Sequence, residues 1–260
     1  MIAKRFAVAF FILCVAWASG CRRLPGRPSE EERWVAPAQI ADFDRLYGQN
    51  CSGCHGAEGR LGAARPLNDA LYLCLASPDN LRQVVMRGMP STAMPAFSQQ
   101  FGGSLTDAQI DLIIEQMRAR WGRPDEFKDV TLPPYNEEGL SAGDPASGVP
   151  QRGVRAYELY CSQCHGADGT GGPKGGSIVD PNFLRLVSDQ SLRTTVITGR
   201  QDIGKPDWRG NLPGRPMSPA EISDVVAWIA SKRPKAPING LGSSSKRQEV
   251  GIKLSTVPNL

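Results

Sequence analysis

Two places in this chain carry a pair of cysteines followed at once by a histidine. Cys51, Cys54 and His55 stand in "CSGCHGAEG" (51–59), and Cys161, Cys164 and His165 in "CSQCHGADG" (161–169). C-x-x-C-H is the attachment signal for a c-type haem. The two thiols add to the haem vinyl groups, and the adjacent imidazole reaches the iron from the proximal side. Three chemical functions fit into so short a stretch because the cofactor is covalent there. A four-cysteine zinc site is the first competing reading, but 106 residues lie between the pairs and each pair is followed by His-Gly. A thiol redox pair has no need of the histidine. The motifs therefore point to two covalently bound c-type haems, held by Cys51 and Cys54 and by Cys161 and Cys164, with His55 and His165 as proximal ligands.

The elements that must position these residues also occur twice. The two motifs start 110 residues apart, Arg45 and Tyr47 return as Arg155 and Tyr157, and "LTDAQIDLIIEQM" (105–117) returns as "MSPAEISDVVAWI" (217–229). Ile110, Ile113, Ile114 and Met117 recur at helical spacing, as do Ile222, Val225, Val226 and Ile229. Thr106 with Gln109, and Ser218 with Glu221, have capping-box spacing, and Pro219 suits a first helical turn. Shorter helices are expected over 38–50 and 151–160, before each C-x-x-C. No strand-like alternation stands out, so the expected fold class is all-α. The expected division is two small helical domains at 38–122 and 151–233, joined by a linker over 123–150 rich in turn residues. The Pro-, Gly- and Ser-rich tail 234–260 is expected to end in disorder.

Each half resembles a class I cytochrome c domain, through its C-x-x-C-H motif, the helix before it and the C-terminal helix. The resemblance covers roughly 170 residues and implies two tandem cytochrome c-like domains. It implies that the two helices cross, that a methionine in the loop between them binds iron from the distal side, and that the chain transfers electrons. Tyr47 and Tyr157 are expected at the helix crossings. Gly56 and Gly166 are expected to let the backbone approach the haem, and Arg200, Trp208 and Arg209 to line a haem edge.

His55 and His165 are the chain's two histidines, so bis-histidine ligation would need another chain. In "MRGMPSTAMPAF" (86–97) three methionines compete. Met94 fits the family's Met-Pro-Ala-Phe pattern and lies 39 residues after His55. Met89 also precedes a proline, and Met86 reads as packing. The second half has "VITGRQDIGKPDWRG" (196–210), where similar domains often have Gly-Met-Pro-Asp-Trp. Lys205 stands there, 40 residues after His165. The remaining methionine of this half, Met217, aligns with Leu105 before the last helix. Three readings stay open for the second haem. Neutral Lys205 binds iron and lowers the potential relative to His/Met; Met217 supplies sulfur; or the sixth site is open.

The start of the chain reads as a signal peptide (1–20). Lys4 and Arg5 precede an apolar run of 12 residues, Phe6 to Trp17, too short to span a bilayer. "ASGC" (18–21) resembles the lipobox of bacterial lipoproteins, which implies lipid on Cys21 and a lipid-anchored linker over 21–37. The expected location is an extracytoplasmic, periplasmic face. From residue 21 onward there are 28 basic and 26 acidic side chains, which is no nucleic-acid footprint. Cys74 is left over and reads as a buried small hydrophobe.

Two functions are weighed. One is a membrane-tethered dihaem electron carrier whose partners are redox proteins or membrane electron-transfer complexes of a respiratory or photosynthetic chain. The other is a haem enzyme with an open second iron, acting on a small oxidant or a sulfur or nitrogen compound. Against the enzyme, no histidine is left over for acid–base work. A sensor would require an output module, and neither linker nor tail reads as one.

Overall fold

The computed structural model describes residues 34–90, 92–135 and 148–234. The signal peptide, Cys21 and the tail beyond residue 234 lie outside the described residues. Among the described residues there are helices and isolated bridges but no strands. No helix there is long and apolar enough to cross a membrane.

The first half runs α1 (Phe43–Asn50), the single turn α2 (Ser52–His55), α3 (Ala70–Leu75), α4 (Pro78–Arg87) and α5 (Asp107–Trp121). The second repeats the order as α6 (Pro150–Tyr160), α7 (Ser162–His165), α8 (Pro181–Leu186), α9 (Asp189–Thr198) and α10 (Pro219–Ala230). Both expected capping boxes form. Thr106 and Gln109 bond reciprocally at the start of α5, and Ser218 and Glu221 do so at the start of α10. Each box satisfies two backbone donors that the first helical turn leaves without partners.

The first and last helices of each half cross, as the resemblance implies. Phe43, Tyr47 and Trp121 pack together where α1 meets α5, with Tyr47 edge-on to Trp121 at 5.3 Å. At the crossing of α6 and α10, Tyr157 stacks on Trp228 at 4.2 Å. Gly153 permits that approach, because a Cβ there would lie 2.6 Å from the Trp228 Cβ. The periodic residues of α5 and α10 are buried: Ile110, Ile113, Ile114 and Met117 in one core, and Ile222, Val225, Val226 and Ile229 in the other. Burying each such side chain stabilises the fold by about 1.5–3 kcal/mol.

The two cores interlock. Helix α3 belongs to the first half, and its Tyr72 and Leu73 enter the first core, but Leu71 is buried in the second. The segment after α5, expected as a linker, is bound to the second half as far as residue 135. Phe127, Val130 and Leu132 pack on the second core. The Pro134 carbonyl accepts from Arg193 Nε at 3.1 Å, and the Tyr135 carbonyl accepts from Gln190 Nε2 at 2.7 Å. Alternating turn residues hid this packing from any periodicity argument, because each apolar residue there is solitary in sequence.

Candidate haem centres

Each C-x-x-C-H motif forms one helical turn at the end of a crossing helix. The His55 N–H donates to the Cys51 carbonyl at 3.0 Å, and the His165 N–H to the Cys161 carbonyl at 3.0 Å. That turn places the two thiols and the imidazole at positions i, i+3 and i+4, on one helical face. The glycine that follows stops the helix. Gly56 has φ +85° and Gly166 φ +81°. A Cβ on Gly56 would collide with the Arg60 carbonyl, and one on Gly166 with that of Gly171. The chain's own backbone therefore requires glycine here. Tyr47 Oη donates to the Gly56 carbonyl at 2.9 Å, and Tyr157 Oη donates to the Gly166 carbonyl, so each crossing helix fixes the end of its own motif.

Both histidines have a fixed tautomer. Nδ1 of His55 lies 2.7 Å from the Arg65 carbonyl, and Nδ1 of His165 lies 2.7 Å from the Gly176 carbonyl. A carbonyl only accepts, so Nδ1 carries the proton and Nε2 keeps its lone pair, the arrangement that a metal-binding imidazole needs. Burial pushes the His55 pKa down, which keeps the ring neutral. Gly175 lies against the other ring, where a Cβ would be 2.8 Å from His165 Nδ1 and Cε1. Burial, followed by the neighbouring Cys54, raises the Cys51 thiol to about 11, and burial with Cys164 raises Cys161 to about 12. None of the five described cysteines is in a disulfide, and Cys74 is partly buried. Among the described residues, no three His, Cys, Asp or Glu side chains assemble as a metal site. The two cysteine pairs thus do not meet as a zinc centre, whereas each turn by itself fits a covalent haem.

The distal loops correspond in register through their backbone contacts. The Met89 N–H donates to the Met94 carbonyl at 3.0 Å; correspondingly, the Arg200 N–H donates to the Lys205 carbonyl at 3.2 Å. Gly88 (φ +68°, ψ −169°) and Gly199 (φ +67°, ψ −157°) precede those loops. A Cβ on Gly88 would lie 2.7 Å from the Met94 carbonyl oxygen, and one on Gly199 would lie 2.7 Å from that of Lys205. Lys205 therefore occupies the backbone position of Met94. The Leu105 N–H donates to the Phe97 carbonyl at 2.8 Å, and the Met217 N–H to the Trp208 carbonyl at 3.0 Å. Met217 therefore occupies the position of Leu105.

Side chains divide the candidates further. Met86 is buried in the first core, and its sulfur accepts from Arg82 Nη1 at 2.8 Å. The Met89 sulfur lies 3.9 Å from Ser191 Oγ of the second half. Both competitors of Met94 have other neighbours. Met217 is only 2% exposed and lies in the second core. Lys205 Nζ donates to the Lys174 carbonyl, in the loop that also holds His165. A shallow open depression in the segment 201–210 is lined by Gln201, Lys205, Asp207 and Arg209.

The arginines expected at a haem edge have carboxylate partners. Arg209 pairs with Asp207 at 2.6 Å and covers Trp208. Arg200 pairs with Asp202 at 2.9 Å and also reaches the Gly62 carbonyl of the first half at 3.4 Å. Sequence reasoning missed Arg65, Gly175 and Gly176, because no motif marks the residues that face the back of each imidazole.

Comparison with known proteins agrees with this geometry. Residues 38–116 match the family model for cytochrome c oxidase, cbb3-type, subunit III, and residues 150–232 match that for cytochrome c. The chain is similar to the cbb3-type cytochrome c oxidase subunit FixP of Bradyrhizobium sp. (strain ORS 278), at 27% identity over 76% of this chain and 67% of the relative. It is similar to subunit CcoP of Rubrivivax gelatinosus, at 27% identity over 75% of this chain and 55% of the relative. Dihydro-heme d1 dehydrogenase of Pseudomonas aeruginosa is 38% identical over 31% of this chain and 15% of its own length. The chain thus spans between about half and two thirds of the length of four of the FixP and CcoP relatives it matches, and 28% of a fifth. With two cytochrome c domains in tandem, each built around a C-x-x-C-H turn, the chain belongs to the c-type cytochromes and carries two covalently bound haems.

Proposed function

We propose that the chain is an exported, membrane-tethered electron carrier that works as a subunit, or a close partner, of a membrane electron-transfer complex such as a cbb3-type oxidase. Each haem supplies a one-electron couple, and the protein sets the potential through axial ligands, burial and hydrogen bonds. Cys51 and Cys54, and Cys161 and Cys164, form the thioethers. His55 and His165 present Nε2 to the irons, and the carbonyls behind them prevent rotation of the rings. Met94 would supply a thioether to the first haem, in a loop fixed by Pro95 and by the Gly88 turn. Lys205 would supply an amine to the second haem by giving up its contact with the Lys174 carbonyl, and Met217 would stay in the core. The domains extend over 38–122 and 151–233, and lipid on Cys21 would hold them at the membrane surface.

The observation that carries this reading is the repeated proximal geometry, with an imidazole fixed through Nδ1 to a backbone carbonyl beside each cysteine pair. The similarity to CcoP and FixP supports an oxidase as the partner. A second reading is favoured by the contact of Lys205 Nζ with Lys174 rather than with the distal space. In it, the second iron keeps an open site for a small oxidant. Carbon monoxide binding to the fully reduced protein, counted per haem, separates the two. No binding is the expected result. Binding at one haem of the two would replace the carrier with the open-site reading.

A further inference from the structure

The two proximal histidines are anchored in different ways. The carbonyl behind His165 belongs to Gly176, which has no side chain and stays within its own half. The carbonyl behind His55 belongs to Arg65, whose guanidinium crosses into the other half. Its Nη2 donates to the Ser191 carbonyl at 2.9 Å and to Thr195 Oγ1 at 3.0 Å, and its Nη1 donates to Thr198 Oγ1 at 3.3 Å. Residues 191, 195 and 198 lie on one face of α9, where helical spacing brings i, i+4 and i+7 together. The same guanidinium lies over the Tyr72 ring at 5.1 Å. It is therefore held on both sides, by a ring of the first half and by a helix of the second.

The second half also grips the same loop from its distal side. Asp202 Oδ2 accepts from the Leu61 N–H at 3.1 Å, and Arg200 Nη2 donates to the Gly62 carbonyl at 3.4 Å. Leu61 has φ +63°, the one positive φ among the described non-glycine residues. Leucine seldom adopts that conformation without outside contacts to hold it. The segment 61–65, which ends at the His55 anchor, is thus shaped by contacts from the neighbouring domain at both ends.

We propose that Arg65 is a positioning residue: through it, docking of the second domain sets the hydrogen bond to His55 and so tunes the first haem. The proposal rests on His55 being an axial ligand. A firm hydrogen bond from Nδ1 raises the basicity of the ring and favours the oxidised iron. Releasing the guanidinium loosens the carbonyl, weakens that bond and favours the reduced iron.

The test is an optical redox titration of the purified full chain, resolving the two haems, for Arg65→Lys and for Thr195→Val. Arg65→Lys keeps the charge but loses the fork. Thr195→Val removes one anchor that is distant in sequence from the first haem. At fixed potential, Arg65→Lys should raise the reduced-to-oxidised ratio of the first haem at least threefold. Thr195→Val should move it less, in the same direction, with the second haem unchanged in both. Folded variants with two haems and a wild-type titration of the first haem overturn the proposal, as does a shift confined to the second haem. Should one variant fail to fold, the other decides by itself. Wild-type electron paramagnetic resonance without a nitrogen axial ligand at the first haem would overturn the His55 assignment and this proposal together. Intact histidine ligation with unmoved ratios overturns only this proposal.

Discussion

Gly88→Ala should open the first haem to outside ligands without unfolding its domain. Gly88 sits at φ +68° and ψ −169°, a region that residues with a side chain enter only at a cost of about 1–3 kcal/mol. The added Cβ would also lie 2.5 Å from the Pro95 carbonyl carbon and 2.7 Å from the Ala96 nitrogen. Both are backbone atoms of the ligand loop and have no side-chain freedom with which to yield. The penalty therefore falls on closure of that loop, and we take about 2–3 kcal/mol for it. At 1.36 kcal/mol per factor of ten, this shifts loop closure roughly 30- to 150-fold. With Met94 as the proposed ligand, carbon monoxide binds only when that position is vacated, so its apparent affinity should rise by that factor while the open form stays rare. The assay is carbon monoxide titration of the reduced variant, with Gly102→Ala as control. Gly102 also has a positive φ, +85°, but a Cβ there meets nothing within 4 Å. A folded Gly88→Ala protein with wild-type affinity would refute the assignment of this glycine as the guard of the ligand loop.

Other outcomes follow from the same geometry. Lys205→Met should raise the potential of the second haem, since thioether ligation raises potentials; a redox titration with an unchanged second midpoint would remove Lys205 as ligand. Gly175→Ala would place a Cβ 2.8 Å from the His165 ring, and the pyridine haemochrome assay should show the yield falling from two haems per chain towards one. Arg200 holds the Asp202 carboxyl below the usual carboxylate range, helped by the Leu61 N–H. A depressed folded value means that the contact stabilises above the unfolded value of about 4 and is lost as pH falls through the folded one. Protection of the Leu61 amide, measured as its hydrogen-exchange rate relative to the intrinsic rate at each pH, should fall under acid, and Asp202→Asn should abolish the pH dependence of that protection.

The sequence disclosed what repeats and what is periodic. The C-x-x-C-H turns, the capping boxes at Thr106 and Ser218 and the apolar stripes of α5 and α10 all rest on local spacing, which a single chain displays openly. Lys205 was legible because the repeat supplied Met94 for comparison. The contacts of Arg65 with residues 191, 195 and 198 were not legible, because they join segments more than 120 residues apart and use ordinary surface residue types. Leu71 was hidden for a related reason. It lies beside Tyr72 and Leu73 in one short helix, and only the tertiary fold sends it to a different core. The glycines behind His165 were missed because a close approach leaves no periodic trace.

The sharing of α3 between the two cores bears on how such a protein is made. A chain is synthesised from its N-terminal end, so the first haem's helices are available before the second half has been made. Until α9 and α10 arrive, Leu71 has no core to enter, and Phe127, Val130 and Leu132 have no surface on which to lie. The first half would then wait with one side of α3 bare, attractive to chaperones and proteases, and its assembly would end only when its neighbour closes over it. Such a chain is matured as one object, and cutting it between its two haems would yield an unfinished first piece.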